Sequence, residues 1–213
     1  MRYIRVLILP AVFMSLFTGI NTRLQADISG WAQEKQAGAV TIFSRIPEGA
    51  RVKEFRALTN IAAPMDAVWR VLRDVSRYPG WFGDCMAAEE VSKFSEDRIQ
   101  YFLLMKTAGP LKNREIYADV YYSGSKSSEK REILMKDAPE IPRKSYKTSR
   151  PIKTLSGLCV LTAPAPGTTK VEYSILIDPG EEIPAALSNM YILGQVEKIM
   201  AGLIKTSGDK AAK

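Results

Sequence analysis

The last long stretch of the chain repeats apolar residues at helical spacing, which predicts one amphipathic helix over residues 184–205. At 3.6 residues per turn, one side of this helix collects Ala185, Ile192, Val196, Ile199, Met200 and Leu203, with Leu193 and Ile204 at its edge. Tyr191, Lys198 and Lys205 fall on the opposite side. A helix of about six turns with so wide an apolar face must pack against a large apolar surface.

Upstream of this helix, short β-branched and aromatic segments separated by turn residues predict a series of antiparallel strands. We expect strands at residues 40–44, 53–61, 85–93, 98–106, 113–122, 130–136, 152–162 and 169–178. Short helices are expected at 29–36 and after Pro64. This order predicts an α+β, helix-grip architecture, in which a curved antiparallel sheet wraps around the long C-terminal helix, with short helices after the second or third strand.

The N-terminus has the order of a secretory signal. Arg2 and Arg5 precede an apolar run over 6–20, and polar residues then extend to Ala26. Leu24 occupies a position where a small residue is preferred before cleavage, so an uncleaved anchor stays open. In either case we expect the protein in the periplasm or secreted, with one domain over 27–206 and a frayed tail over 207–213.

Charge and composition exclude several classes of function. Without residues 1–26 the formal net charge falls from +7 to +4, from 27 basic and 23 acidic side chains, which is no nucleic-acid signature. The absence of histidine excludes Ser-His-Asp and Cys-His catalysis and the usual zinc sites. Cys85 and Cys159 could form a disulfide, although two separate buried thiols are the commoner arrangement. We expect a monomer with no metal, cofactor or catalytic constellation.

Three stretches resemble the StAR-related lipid-transfer (START) family of the helix-grip superfamily. They are Leu58 to Trp81 (LTNIAAPMDAVWRVLRDVSRYPGW), Gly109 to Glu115 (GPLKNRE), and Thr168 to Asn189 (TTKVEYSILIDPGEEIPAALSN). The chain departs from the family where Glu181 replaces a frequent second glycine, and it lacks a tryptophan on the strand that holds Leu158 and Cys159. The resemblance implies a hydrophobic tunnel between sheet and last helix for one lipid, sterol or other apolar molecule. The helix and the loop near Gly109 would form its lid.

Arg114 is the most informative candidate residue, because strand alternation places it on the same side as Ile116, Ala118 and Val120. A buried guanidinium needs a partner or an anionic ligand group, whereas an arginine at a strand end can also reach water. Glu89 shares its side with Cys85 and is the candidate partner. Without such a partner, Arg114 would be available to an anionic head group.

The remaining candidates lie on the helix and on the inner side of the strands. Asn189 falls within the apolar arc of the helix, where it could orient a ligand or cap a neighbouring backbone group. Tyr101, Tyr122 and Tyr173 share their sides with apolar residues, although a tethered hydroxyl in a packed core is the commoner arrangement. The full predicted ligand-binding set is Arg114, Asn189, Tyr101, Leu103, Met105, Ile116, Tyr173, Leu193, Val196 and Glu89.

These features favour a module that binds and transports a hydrophobic small molecule, with a lipid as the first expectation. An enzyme of the polyketide cyclase or aromatase type is the alternative, since Arg114, Glu89 and Tyr101 could supply polar groups. A third possibility is an envelope protein with a protein partner. Its support is the basic loop 137–150, which carries Arg143, Lys144, Lys147 and Arg150 and could also touch an anionic membrane.

Overall fold

A computed structural model describes residues 30–107, 111–138, 141 and 147–211, which form ten strands and two α-helices. The strands are β1 (Ala32–Ala37), β2 (Val40–Arg45), β3 (Glu54–Ile61), β4 (Cys85–Ser95), β5 (Arg98–Met105), β6 (Asn113–Ser123), β7 (Lys130–Asp137), β8 (Ser149–Pro151), β9 (Thr154–Ala165) and β10 (Thr168–Asp178). The helices are α1 (Met65–Arg73), which a 3-10 helix over Val75–Gly80 follows, and α2 (Ala185–Ala211). The predicted signal over 1–26 lies outside the described residues.

The strands form one sheet in the order β1-β2-β3-β10-β9-β7-β6-β5-β4. Neighbours along this path are antiparallel, and the short β8 pairs in parallel with β6. The main core lies between the inner face of the sheet and the two helices, where Phe55, Leu161, Val171 and Leu203 are fully buried. The predicted α+β fold, a curved antiparallel sheet around a long C-terminal helix, is confirmed.

The predicted helix at 29–36 is wrong, because Ala32–Ala37 forms the edge strand β1. Its sequence, AQEKQA, is rich in residues with high helix propensity, and nearly all of it is exposed. No buried face therefore marks it as a strand. Antiparallel hydrogen bonds to β2 determine its conformation instead, which is a tertiary override of local propensity.

Helix α2 extends beyond its predicted end, and its side chains reach both edges of the sheet. It continues to Ala211, and Ser207 is fully buried where a frayed tail was expected. Glu197 pairs with Lys35 of β1 at 2.6 Å, and Lys198 pairs with Asp84 beside β4 at 2.7 Å. At Gly202 the helix backbone touches the Trp81 carbonyl, because a Cβ built there would lie 2.1 Å from that oxygen. Within the described ranges, neither helix is long and apolar enough to cross a bilayer.

Candidate functional site

Two small voids adjoin one another between α2 and the sheet. The larger has a volume of about 50 Å³ and the smaller about 20 Å³. Both are lined by Phe82, Tyr101, Met135, Tyr173 and Ile199, so these side chains separate one void from the other. One water molecule takes about 30 Å³ of liquid volume. The two voids therefore have room for a few water molecules, and they do not form the lipid-sized tunnel that the family resemblance implied.

Seven of the ten predicted site residues line the larger void. Alternate residues of β5 and β6 point toward α2, as strand parity predicts, and β10 and α2 supply the other two. These seven residues are Tyr101, Leu103, Met105, Arg114, Ile116, Tyr173 and Val196.

Glu89 lies on the other face of the sheet. The pairing of β4 with β5 shifts register between Cys85 and Ala87, so residues beyond that bulge reverse their sides. Glu89 pairs with Phe102, which belongs to a separate apolar cluster with Tyr117 on the outer face. The exposed Glu89 is therefore not the partner of Arg114 that parity suggested.

Asn189 and Leu193 also lie away from the void. The Asn189 Oδ1 accepts a hydrogen bond of 2.8 Å from the backbone N–H of Lys53, which is the capping alternative considered for this residue. Leu193 is half-buried and packs against the core. Both residues fix the position of α2 on the sheet.

The guanidinium of Arg114 is held by protein groups at the end of the larger void. The Arg114 side chain is only 3% exposed. Its Nε donates to Pro179 O at 2.8 Å, its Nη1 to Lys112 O at 2.5 Å, and its Nη2 to Glu182 Oε1 at 2.9 Å. Burial lowers the pKa of Arg114, and the Glu182 carboxylate opposes that change. The cavity-side position is as predicted, but the guanidinium is engaged by protein.

A second arginine, Arg51, binds the turn over 178–183, which also contains the Pro179 and Glu182 partners of Arg114. Arg51 donates to both carboxylate oxygens of Asp178, to Gly180 O at 2.9 Å and to Ile183 O at 2.9 Å. Burial raises the pKa of Asp178, but hydrogen bonds from Arg51 and the Gly180 N–H lower it below its ordinary value. Gly180 has φ of +112°, which other residues rarely adopt. Arg51 and Arg114 therefore fix the turn over 178–183 from which α2 begins.

Tyr101 and Tyr173 carry the polar groups between the two voids. They are 3% and 7% exposed, and within the described part of the chain neither hydroxyl has a hydrogen-bond partner. Burial raises the pKa of each phenol well above its ordinary value, so both stay protonated near neutral pH. The tethered hydroxyl that was the alternative for these tyrosines is not found at Tyr101 or Tyr173. Tyr78, which was not among the candidates, has one, because its hydroxyl donates to Leu72 O at 2.6 Å.

Sequence reasoning missed two polar residues of the lining, Gln195 and Tyr191, besides apolar ones such as Phe82 and Met135. Gln195 lies one turn from Ile192 and Ile199, so its helical position was the available signal. Its Nε2 donates to Asp84 Oδ2 at 2.7 Å, and its Oε1 accepts from the Asp84 N–H at 2.9 Å. Tyr191 was assigned to the polar side of α2, but its long side chain reaches the void and its hydroxyl donates to Lys106 O at 2.5 Å.

The described residues contain no cluster of three or more side chains suited to hold a metal ion. Cys85 and Cys159 are separate, buried, free thiols. Burial raises the pKa of Cys85 to about 11 and that of Cys159 to about 12, so neither is an activated nucleophile.

The arrangement is that of a START fold, a long helix closing an apolar space over a curved sheet. A StAR-related lipid transfer protein from Xanthomonas axonopodis matches with a TM-score of 0.75 and 23% identity, covering 84% of this chain and 99% of that one. Human StAR-related lipid transfer protein 5 matches with a TM-score of 0.77 and 11% identity, over 86% and 89% of the two chains. An aromatase/cyclase from Streptomyces sp. R1128 matches with a TM-score of 0.50 and 14% identity, over 75% and 93%.

Sequence comparison adds one relative of unassigned role. An uncharacterised protein of Pseudomonas aeruginosa is 22% identical over 173 residues, which cover 81% of this chain and 84% of that protein. No family model matches the sequence. The likenesses therefore define the fold of this chain, and its function has to be argued from the site.

Proposed function

We propose that this chain binds one hydrophobic small molecule, a lipid in the first instance, between the sheet and α2, and carries it between surfaces. The observation that supports this most directly is the pair of adjoining voids, whose lining is mainly aliphatic and aromatic. Apolar concave sites with a few placed polar groups are typical of small-molecule binding. Two proteins of the same fold are named for lipid transfer.

The closed form must open to admit such a ligand, and the contacts favour movement of the first half of α2. That half and the turn before it are held by hydrogen bonds of single side chains, namely Arg114 to Glu182, the Lys53 N–H to Asn189, Tyr191 to Lys106 O and Gln195 to Asp84. In the second half of α2, by contrast, the helix backbone at Gly202 packs directly against the Trp81 carbonyl. Met105 and Met135 line the larger void, and their unbranched side chains can rearrange around a ligand.

The test is native mass spectrometry of the protein purified from cell envelopes, followed by organic extraction. We expect a stoichiometric lipid-sized mass that organic solvent releases. A matched pair of variants locates it: Met105→Trp fills the void, and Leu187→Trp places the same ring at an exposed position of α2. Uptake should fall in the first variant and persist in the second. An empty protein that takes up neither a fluorescent fatty acid nor a fluorescent sterol would refute the proposal.

We also propose that residues 1–26 direct export to the periplasm or beyond, and that the carrier meets membranes transiently. The charged, apolar and polar order of the N-terminus supports export. Cell fractionation combined with N-terminal sequencing tests it, and a protein found in the cytoplasm with an intact N-terminus would contradict it. Co-sedimentation with anionic vesicles tests the membrane contact, and the protein should remain in the supernatant if that contact is absent.

The second candidate is an enzyme of the aromatase/cyclase type, which the unpartnered hydroxyls of Tyr101 and Tyr173 favour. Because their pKa values are raised, these phenols would act as hydrogen-bond or proton donors rather than as bases. An enzyme predicts that Tyr101→Phe abolishes turnover of a bound apolar substrate while binding persists. A binding protein predicts that such a substitution changes affinity alone.

A further inference from the structure

Two hydroxyl groups occupy the middle of the apolar interior, and neither serves the packing of the protein. Tyr101 on β5 and Tyr173 on β10 both line the two voids, and within the described residues their hydroxyls have no hydrogen-bond partner. Neither oxygen belongs to the sealed, unpartnered polar atoms of the described residues, so both hydroxyls open into the voids. Phenylalanine would fill the same space without placing a polar group there. The two phenols are therefore placed to donate hydrogen bonds to a group inside the voids.

The position of the two tyrosines constrains the shape of a ligand that could accept their hydrogen bonds. Because they stand where the two voids meet, a ligand atom bound between them has apolar space on both sides. Both side chains line the same two voids, so one ligand that spans the voids passes both tyrosines. A polar atom at the end of a molecule would not use this arrangement, whereas one partway along an apolar body would.

The charges around the site constrain its chemistry. Both phenols are neutral donors near neutral pH, and a neutral donor pairs with a carbonyl, ether or hydroxyl oxygen. Arg114, at the far end of the larger void, already bonds to Glu182, Pro179 O and Lys112 O. A carboxylate or phosphate placed between the tyrosines would be desolvated without a dedicated counter-charge.

We propose that Tyr101 and Tyr173 form a hydrogen-bonding pair that selects a neutral ligand with an oxygen atom partway along its apolar body, rather than a ligand with an anionic head. This rests on the proposed function and specifies its ligand class. The ketone, ester or ether oxygen of such a ligand accepts from one or both phenols. Apolar segments on either side then occupy the two voids as the space widens.

Two fluorescent probes test this proposal on the whole protein. Laurdan carries a ketone between a naphthalene ring and a long alkyl chain, and its emission moves to longer wavelength when that ketone accepts hydrogen bonds. Diphenylhexatriene is an apolar rod without oxygen. For the Tyr101→Phe/Tyr173→Phe double variant we expect laurdan affinity to fall at least tenfold, equivalent to about 1.4 kcal/mol. Bound laurdan should then emit at shorter wavelength, and the diphenylhexatriene affinity should stay within twofold.

Tyr117→Phe is the matched control, because Tyr117 is buried in the separate cluster on the outer face of the sheet and its hydroxyl donates to Glu115 Oε2 at 3.2 Å. It should keep the laurdan affinity and lower the melting temperature of the empty protein. The double variant should keep or raise that melting temperature, since the hydroxyls it removes lack partners. Both variants retain the aromatic rings, so both are expected to fold.

The outcomes separate this inference from the proposed function. Three outcomes would overturn the inference and leave hydrophobic binding in place. They are an equal loss of affinity for both probes in the double variant, no loss for either probe, and a melting temperature that falls as in Tyr117→Phe. If the unaltered protein binds neither probe, the proposed function fails and the selectivity fails with it. A tenfold loss of laurdan alone, with its emission shift, supports both.

Discussion

The contact between Gly202 and Trp81 makes a sharp prediction, because the same helix holds a control for it. A Cβ at Gly202 would lie 2.1 Å from the Trp81 carbonyl oxygen and 3.0 Å from its carbon. Both neighbours are backbone atoms, so rotation of a side chain cannot relieve the overlap. At Gly194 on the same helix, a Cβ would meet nothing within 4 Å. The substitutions Gly202→Ala and Gly194→Ala should therefore change stability in opposite directions.

The magnitude follows from two terms. Alanine in a helix interior is favoured over glycine by about 1 kcal/mol, and Gly194→Ala should gain up to that amount. At Gly202 the helix must retreat by about 1 Å, and overpacking of this kind costs about 1–3 kcal/mol or more. We take the upper end of that range, because the Trp81 carbonyl also accepts the Gly83 N–H at 3.0 Å and cannot turn away freely. The net loss for Gly202→Ala is about 2 kcal/mol.

Thermal unfolding of the two variants and the unaltered protein, followed by circular dichroism, measures these changes, and urea unfolding gives the free energies. We expect the melting temperature of Gly202→Ala to fall by about 4–8 °C, given about 2–4 °C per kcal/mol for a domain of this size. Ligand uptake should also change, since the retreat widens the gap beneath α2. A Gly202→Ala protein as stable as Gly194→Ala would show that α2 does not pack this closely on the Trp81 turn.

Three further predictions concern the charges and thiols around α2. Arg114→Met should lower the free energy of unfolding by about 2–4 kcal/mol, because the backbone carbonyls of Pro179 and Lys112 lose a charged donor. Glu182→Gln should lower it by less than about 1 kcal/mol, since the Glu182 side chain is exposed. Urea midpoints that fall equally in the two variants would contradict this. Burial raises the pKa of Asp84, but Lys198 and Gln195 lower it below its ordinary value. The contribution of ionised Asp84 to the free energy of unfolding is therefore complete above about pH 4 and lost as pH falls through the folded pKa. The difference in stability between Asp84→Asn and the unaltered protein should close in acid. A constant difference from pH 7 to 3 would refute this. Cys85 and Cys159 should resist a thiol reagent at pH 8 in the folded protein and both react in denaturant, whereas rapid native labelling would show that they are accessible.

The architecture and seven of the ten predicted site residues were placed correctly because they follow local periodicity. Strand alternation placed Arg114, Ile116, Tyr101 and Leu103 on the inner face, and the structure agrees, since β5 and β6 pair without a register shift. Helical periodicity likewise placed Val196 toward the sheet. These positions depend on the regular geometry of one element, which the sequence alone specifies.

The failures come from features that join separate parts of the chain. Glu89 changed faces because of a bulge, and no residue type in β4 marks that bulge. Ala32–Ala37 became a strand because β2 lies beside it. The engagement of Arg114 by Glu182 depends on how the turn over 178–183 meets the start of β6. None of these is encoded within a single window of sequence, so periodicity could not reveal them.

The position of β10 in the sheet has a consequence for the order in which the chain can fold. Leu176 of β10 pairs with Glu54 of β3, more than a hundred positions earlier, and this pair joins the first three strands to the rest of the sheet. While the chain is being synthesised, β3 can pair with β2, but it lacks its other neighbour, β10, until most of the sequence has emerged. Non-local pairing of this kind slows folding. A nascent chain of this topology therefore stays without a complete sheet for longer than a chain whose strands pair with their neighbours in sequence.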